Sequence, residues 1–167
     1  MTDEPALHVY VLLDTSASMS GAPLEALKQG LNLLCGTFIA RSKRPVQIGL
    51  FAYDSKAREL APLADVQAFE MPKLDAGGSS ALGEALRLLA RTMLTSDPTL
   101  VYVFTDGEPT DDWEVAISEV KGRVKQIVAV ICGAASSGEA LSPPVANVFK
   151  VREMTPDLLY ESFRAFS

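Results

Sequence analysis

The chain has 167 residues, 48% of them apolar and 22% charged, enough for one domain with its own core and too few for two. Fifteen basic residues against 21 acidic ones leave a formal net charge of −6 with no Lys/Arg cluster, which argues against nucleic acid or an anionic membrane as a partner. No stretch approaches the roughly 20 apolar residues that span a bilayer, and the acidic start MTDEPALHVYVLLD lacks the basic flank and long apolar core of a secretion signal. The expectation is one cytoplasmic domain over residues 1–167.

In chain order, Leu7 to Leu13 (LHVYVLL) is a short β-rich apolar run that stops at Asp14 and predicts a buried strand. After a Ser/Gly stretch, Pro23 opens a helix where its missing N–H costs nothing, and Leu24, Leu27, Leu31, Leu34 and Phe38 form its apolar stripe. Val46 to Tyr53 predicts a second strand ending at Asp54, and Lys56 to Leu63 can pair with it across the Asp54–Ser55 turn as a short antiparallel edge strand. Gly77 and Gly78 introduce a loop before a helix marked by Leu82, Ala85, Leu86, Leu89 and Met93.

Leu100 to Phe104 predicts the next strand, ending in Thr105-Asp106-Gly107. Asp111 is expected to cap the following helix, with Glu114 as its capping-box partner and Trp113, Ile117, Val120 and Val124 as its buried face. Gln126 to Ile131 and Val145 to Val151 predict two more strands, and Leu158, Leu159, Phe163 and Phe166 a final helix. Cys35 and Cys132 sit inside apolar segments far apart in sequence and read as buried thiols in a reducing compartment, with a disulfide between them as the alternative.

Strands alternate with helices, and the core strands are continuous apolar runs. Both features predict an α/β doubly wound, mostly parallel sheet with helices on both faces. Ligands of such sheets bind outside the carboxyl ends of the strands, near the point where the winding order reverses. There the sequence places Asp14-Thr15-Ser16-Ala17-Ser18, Gly77-Gly78-Ser79-Ser80 and Asp106. Two carboxylates and three hydroxyls, without His or Cys, form a hard-oxygen set suited to Mg²⁺ or Mn²⁺ and unsuited to structural zinc.

Asp14-x-Ser16-x-Ser18, a Gly-Gly-hydroxyl loop and a strand ending Thr105-Asp106-Gly107 together resemble the von Willebrand factor type A domain and its metal-ion-dependent adhesion site, over the whole chain. The run from Phe104 to Trp113, with Leu12 to Ser16, further resembles the TerY-type proteins of bacterial tellurite-resistance and stress-response clusters. The resemblance implies that Ser16 and Ser18 bind the metal through their hydroxyls and that Asp14 and Asp106 hold it largely through water and hydrogen bonds. It implies a third hydroxyl, usually threonine. Here Ser80 fits that position better than Ser79, because it stands five residues before Ala85. A protein partner then supplies an Asp or Glu to the metal, and the subfamily resemblance points to a kinase or phosphatase of the same cluster.

Asp54 and Trp113 are the candidate partner contacts at the same rim, against plainer roles as a turn residue and as the first buried residue of a helix. His8 lies at the opposite end of the first strand and reads as structural. No enzyme is expected. The chain lacks GxSxG, a P-loop and GxGxxG, and a haloacid-dehalogenase phosphatase needs a second Asp where Ser16 stands. A phospho-accepting receiver wants a lysine ending the strand 126–131, which instead runs into Cys132. Two alternatives to metal-dependent docking remain open at this point: a metal-independent interaction domain using Trp113 and the acidic rim, and a regulator phosphorylated on Asp14 or Asp106.

Overall fold

Eight consecutive buried residues, Leu7–Asp14, form β1, and burial on both faces puts this strand in the middle of the sheet. The computed structural model describes residues 5–93, 98–106, 109–133, 145 and 147–166. The other strands are β2 (Val46–Tyr53), β3 (Ala57–Asp65), β4 (Thr99–Thr105), β5 (Gln126–Ile131) and β6 (Asn147–Lys150). They hydrogen-bond in the order β3-β2-β1-β4-β5-β6. Every pairing is parallel except β2 with β3, which is antiparallel with irregular register around Leu50. This is the doubly wound α/β sheet with one antiparallel edge that the apolar runs predict.

Alternation along the strands divides the core in two. Leu7, Val9, Val11 and Leu13 point to the face covered by helices α1 (Ala22–Arg41) and α4 (Pro156–Phe163), where they meet Leu27, Leu31, Phe38, Leu159 and Phe163. Tyr10, Leu12, Val101 and Val103 point to the face covered by α2 (Leu82–Thr92) and α3 (Trp113–Lys121). The first helix lies close to the sheet at Gly30, where a Cβ would stand 2.9 Å from the Phe104 ring and 3.0 Å from Val151. Cys35 and Cys132 are free and buried, as their apolar surroundings predict.

Three local expectations need correction. The edge strand begins at Ala57 and continues to Asp65, two residues beyond Leu63. The last strand is Asn147–Lys150, after which Val151–Glu153 coil into a 3-10 turn instead of extending the strand. Finally, α3 starts at Trp113 with Asp112 at its N-cap and no side-chain capping bond. The Asp111 carboxylate instead accepts from the N–H groups of Gly83 (2.9 Å) and Glu84 (3.1 Å) at the start of α2. Those orphan donors of another helix attract the charge more strongly than the first turn of α3, which Asp111 precedes by one position too many.

Candidate functional site

The order places β1 and β4 side by side at the centre, with the chain winding outward on either side. Their carboxyl ends carry Asp14 and, one residue after β4, Asp106. The crevice at this reversal is where the sheet's geometry leaves room for a ligand. Here the structure brings together the five oxygen-bearing side chains that the sequence singles out.

Asp14 is the hub. It is wholly buried, and one carboxylate oxygen accepts from the N–H of Ser16 at 2.9 Å. The other accepts from the hydroxyls of Ser80 (3.1 Å) and Thr105 (2.8 Å). The Ser16 and Ser18 hydroxyls lie 3.1 Å apart, and the Ser18 hydroxyl donates to Asp106. Contacts therefore run unbroken from Ser80 through Asp14, Ser16 and Ser18 to Asp106, although these residues span 93 positions. Burial holds the Asp14 carboxyl above the usual carboxylate range, and the charge of Asp106 pushes the same way. Hydrogen bonds from Ser16 and Thr105 pull it part of the way back. Opposite Asp14 on the neighbouring strand β2, the Tyr53 phenol is pushed up by its own burial and by the Asp14 charge.

The loops that carry these side chains are tied to one another. The Gly77 N–H donates to the Thr15 carbonyl (2.9 Å) and the Ala17 N–H to the Gly78 carbonyl (2.9 Å), so the Gly-Gly loop and the DTSAS loop share two backbone bonds. Gly78 has a φ of +80°, and a Cβ there would sit 2.7 Å from the Ser55 hydroxyl. Only glycine suits both demands. The loop turns Ser80 inward, 3% exposed, while the Ser79 hydroxyl bonds Ser55 at 3.2 Å on the outside. Thr110 fixes Ser80 from the other side, its hydroxyl 3.0 Å from both the N–H and the carbonyl of Ser80.

The Asp54 carboxylate and the Trp113 indole do not join this oxygen cluster, although the Asp54 carbonyl accepts from the Ala81 N–H (2.8 Å) beside Ser80. The Asp54 carboxylate accepts from the Lys56 N–H (3.1 Å) and lies 3.6 Å from Arg58, closing the turn between β2 and β3. Trp113 is 5% exposed and packs in the α2/α3 core. That burial matches the plainer of the two expectations for it, the first buried residue of the helix. Gly107, the last residue of the predicted motif, lies outside the described residues. Thr105, Thr110 and Ser55 support the site without having been singled out as functional. The hydroxyl of Thr105, immediately before Asp106, was the one visible signal.

The donor set consists of side-chain oxygens. The described residues gathered here are the carboxylates Asp14 and Asp106 and the hydroxyls of Ser16, Ser18 and Ser80, and no group of three or more His, Cys, Asp and Glu comes together among the described residues. That composition fits a hard divalent cation, which favours oxygen ligands and retains water.

Solved structures share this fold. One is the manganese-loaded TRAP protein of Plasmodium vivax, 18% identical, with a TM-score of 0.68 over 96% of this chain and 73% of that one. Another is proximal thread matrix protein 1 of the mussel byssus, whose MIDAS motif is occupied by zinc. It is 17% identical, with a TM-score of 0.74 over 97% of this chain and 46% of that one. A third is an aerotolerance-related membrane protein of Bacteroides fragilis, 15% identical, with a TM-score of 0.68 over 96% of this chain and all of that one. No curated protein matches the chain. The family model for the von Willebrand factor type A domain matches residues 8–159, and the chain belongs to that family.

Proposed function

We propose that this domain is a metal-dependent protein-interaction module whose rim holds a divalent cation, Mg²⁺ or Mn²⁺, and docks a carboxylate of a protein partner. The observation that carries this reading is the convergence of Asp14, Ser16, Ser18, Ser80 and Asp106 on one crevice at the carboxyl ends of β1 and β4. Ser16, Ser18 and Ser80 would hold the ion through hydroxyls, and Asp14 and Asp106 would balance its charge. The bound ion would supply local positive charge on a domain whose net charge of −6 otherwise repels an acidic partner. Zinc in the MIDAS motif of the mussel protein, together with the manganese-loaded state of the Plasmodium protein, supports a divalent ion as the guest.

The domain acts by binding, without a reaction of its own. Asp14 is fully buried and engaged by Ser16, Ser80 and Thr105, which disfavours its use as a phosphate acceptor. Resemblance to TerY-type proteins supports a cytoplasmic setting in a tellurite-resistance or stress-response module, with a kinase or phosphatase as partner. Among the described residues no helix is long and apolar enough to cross a membrane.

The test is capture of partners from native cell lysate in Mg²⁺/Mn²⁺ and in EDTA, with Asp14→Ala beside the wild type. A partner held only by wild type with metal is the expected result. Equal capture in all lanes would overturn the metal-docking reading.

A further inference from the structure

Beside the rim site a cleft of about 160 Å³ opens between the ends of β5 and β6, lined by Ile131, Cys132, Gly133, Lys150, Val151 and Arg152. Its charged lining residues are both cations. Among the described residues neither Lys150 nor Arg152 forms an ion pair, whereas Arg41, Arg58, Arg87 and Arg164 each pair with a carboxylate. The nearby Glu153 is turned to the Lys150 backbone N–H at 2.8 Å. On a chain carrying −6 overall, two unpaired cations in one concavity mark a place where an anion is welcome.

The cleft adjoins the metal-site residues directly. A Cβ at Gly133 would lie 3.3 Å from the Cβ of Asp106, so Gly133 is the thin wall between them. The register Thr105↔Ile131↔Lys150 places Lys150 two strands from the end of β4, which is about 10 Å at the usual strand spacing. An extended peptide covers that distance in roughly three residues. Charges about 10 Å apart lie near one Debye length at physiological salt, so Lys150 and Arg152 can act on a carboxylate docked beside them while acidic residues farther off are screened.

We propose that Lys150 and Arg152 form an anion subsite for a second carboxylate of the docked partner segment, about three residues from the acid at the metal site. The partner is thus an acidic segment with two spaced Asp or Glu side chains. One carboxylate would dock at the rim and the other would bridge Lys150 and Arg152 in charge-assisted hydrogen bonds. This inference rests on the metal-docking reading above.

The probes are two fluorescein-labelled peptides, a glycine chain with Glu at its first and fourth positions and the same chain with Gln at the fourth. Binding is followed by fluorescence anisotropy in Mn²⁺ and in EDTA. Wild type is expected to bind the diacid about tenfold tighter than the monoacid in Mn²⁺, a ratio within reach of one charged hydrogen-bonded contact. The Lys150→Ala/Arg152→Ala protein should bind both peptides alike, at the wild-type monoacid affinity and with an unchanged melting temperature.

Equal affinities in wild type, or a diacid preference that survives the double substitution, would overturn the subsite. Ser16→Ala keeps the two ideas apart. If binding ignores both Mn²⁺ and Ser16→Ala, the metal-docking reading fails, while a diacid preference abolished by Lys150→Ala/Arg152→Ala still supports the anion cleft.

Discussion

Asp111 sits in the approach to α3, yet its two carboxylate oxygens receive the N–H groups of Gly83 and Glu84 and so close the amino end of α2. The same carboxylate stands 2.8 Å from where a Cβ of Gly83 would be. The neighbouring Thr110 meanwhile brackets Ser80. One short loop therefore holds both the helix start and the third hydroxyl of the site. Asp111→Ala is expected to lower stability by about 1–2 kcal/mol, the range for losing a helix cap, and to weaken metal binding as Ser80 loosens. Urea unfolding and Mn²⁺ titration of the variant measure the two effects; unchanged values in both would show that the contact does not matter.

Millimolar Mn²⁺ or Mg²⁺ should raise the melting temperature of the wild type, with EDTA reversing the rise, because a ligand held only by the folded state stabilises it by mass action. Ser16→Ala should remove the rise and leave the EDTA melting temperature within a few degrees, since little packing depends on that hydroxyl. A rise equal to that of wild type would exclude Ser16 as a ligand.

Asp14 separates stability from function. Its carboxylate is costly to bury, with Asp106 nearby and the pKa held up by desolvation. Asp14→Asn keeps the shape and relieves the charge. In EDTA the variant should be as stable as wild type or more so, while its response to Mn²⁺ disappears. A variant that melts far below wild type in EDTA would mean that the hydrogen bonds of the carboxylate outweigh its desolvation.

The single tryptophan reports on the core. Trp113, 5% exposed among α2 and α3 side chains, should emit at short wavelength and resist acrylamide until the domain unfolds. Trp113→Ala should cost about 3–5 kcal/mol, as expected for truncating a large core side chain. A Trp113 readily quenched in the native state would return it to the rim.

Burial pushes the thiols of Cys35 and Cys132 from 9.0 up to about 12. In the folded state they keep their protons above pH 9, where the unfolded chain gives them up. Their contribution to stability is therefore intact below about pH 9 and is lost as the pH rises from 9.0 toward about 12. The loss should approach roughly 1.4 kcal/mol per pH unit for each thiol. Denaturation curves at pH 7.5 and 10.5 for wild type and Cys35→Ala test this: the alkaline loss should be smaller in the variant.

What the sequence made legible was whatever depends on neighbours along the chain. Leu7 to Leu13 and Gln126 to Ile131 announce buried strands because strands closed in on both faces must be apolar throughout. Asp14, Ser16 and Ser18 announce an oxygen cluster because their spacing repeats within a single loop. The misreadings come from contacts that spacing does not contain. Asp111 has local features that point to α3, and only the folded chain reveals that it is nearer to Gly83, 28 positions away. Asp54 carried two readings, a partner contact and a turn residue, and the contacts of its carboxylate with Lys56 and Arg58 show the turn role. Between the chemically equal Ser79 and Ser80, spacing to Ala85 already favoured Ser80, and the positive φ of Gly78 with the hydroxyl of Ser55 shows how the fold turns Ser80 inward and Ser79 outward.

The central position of β1 and β4 gives the site a division of labour. Asp14 and Thr105 stand on strands with hydrogen-bonded neighbours on both sides, whose amides should be among the last to exchange with solvent. Ser18 and Ser79 ride on loops joined by a few backbone bonds. In the proposed docking mode a partner would meet a fixed floor and adjustable walls: the floor would set where an ion sits, and the walls how tightly a guest is gripped.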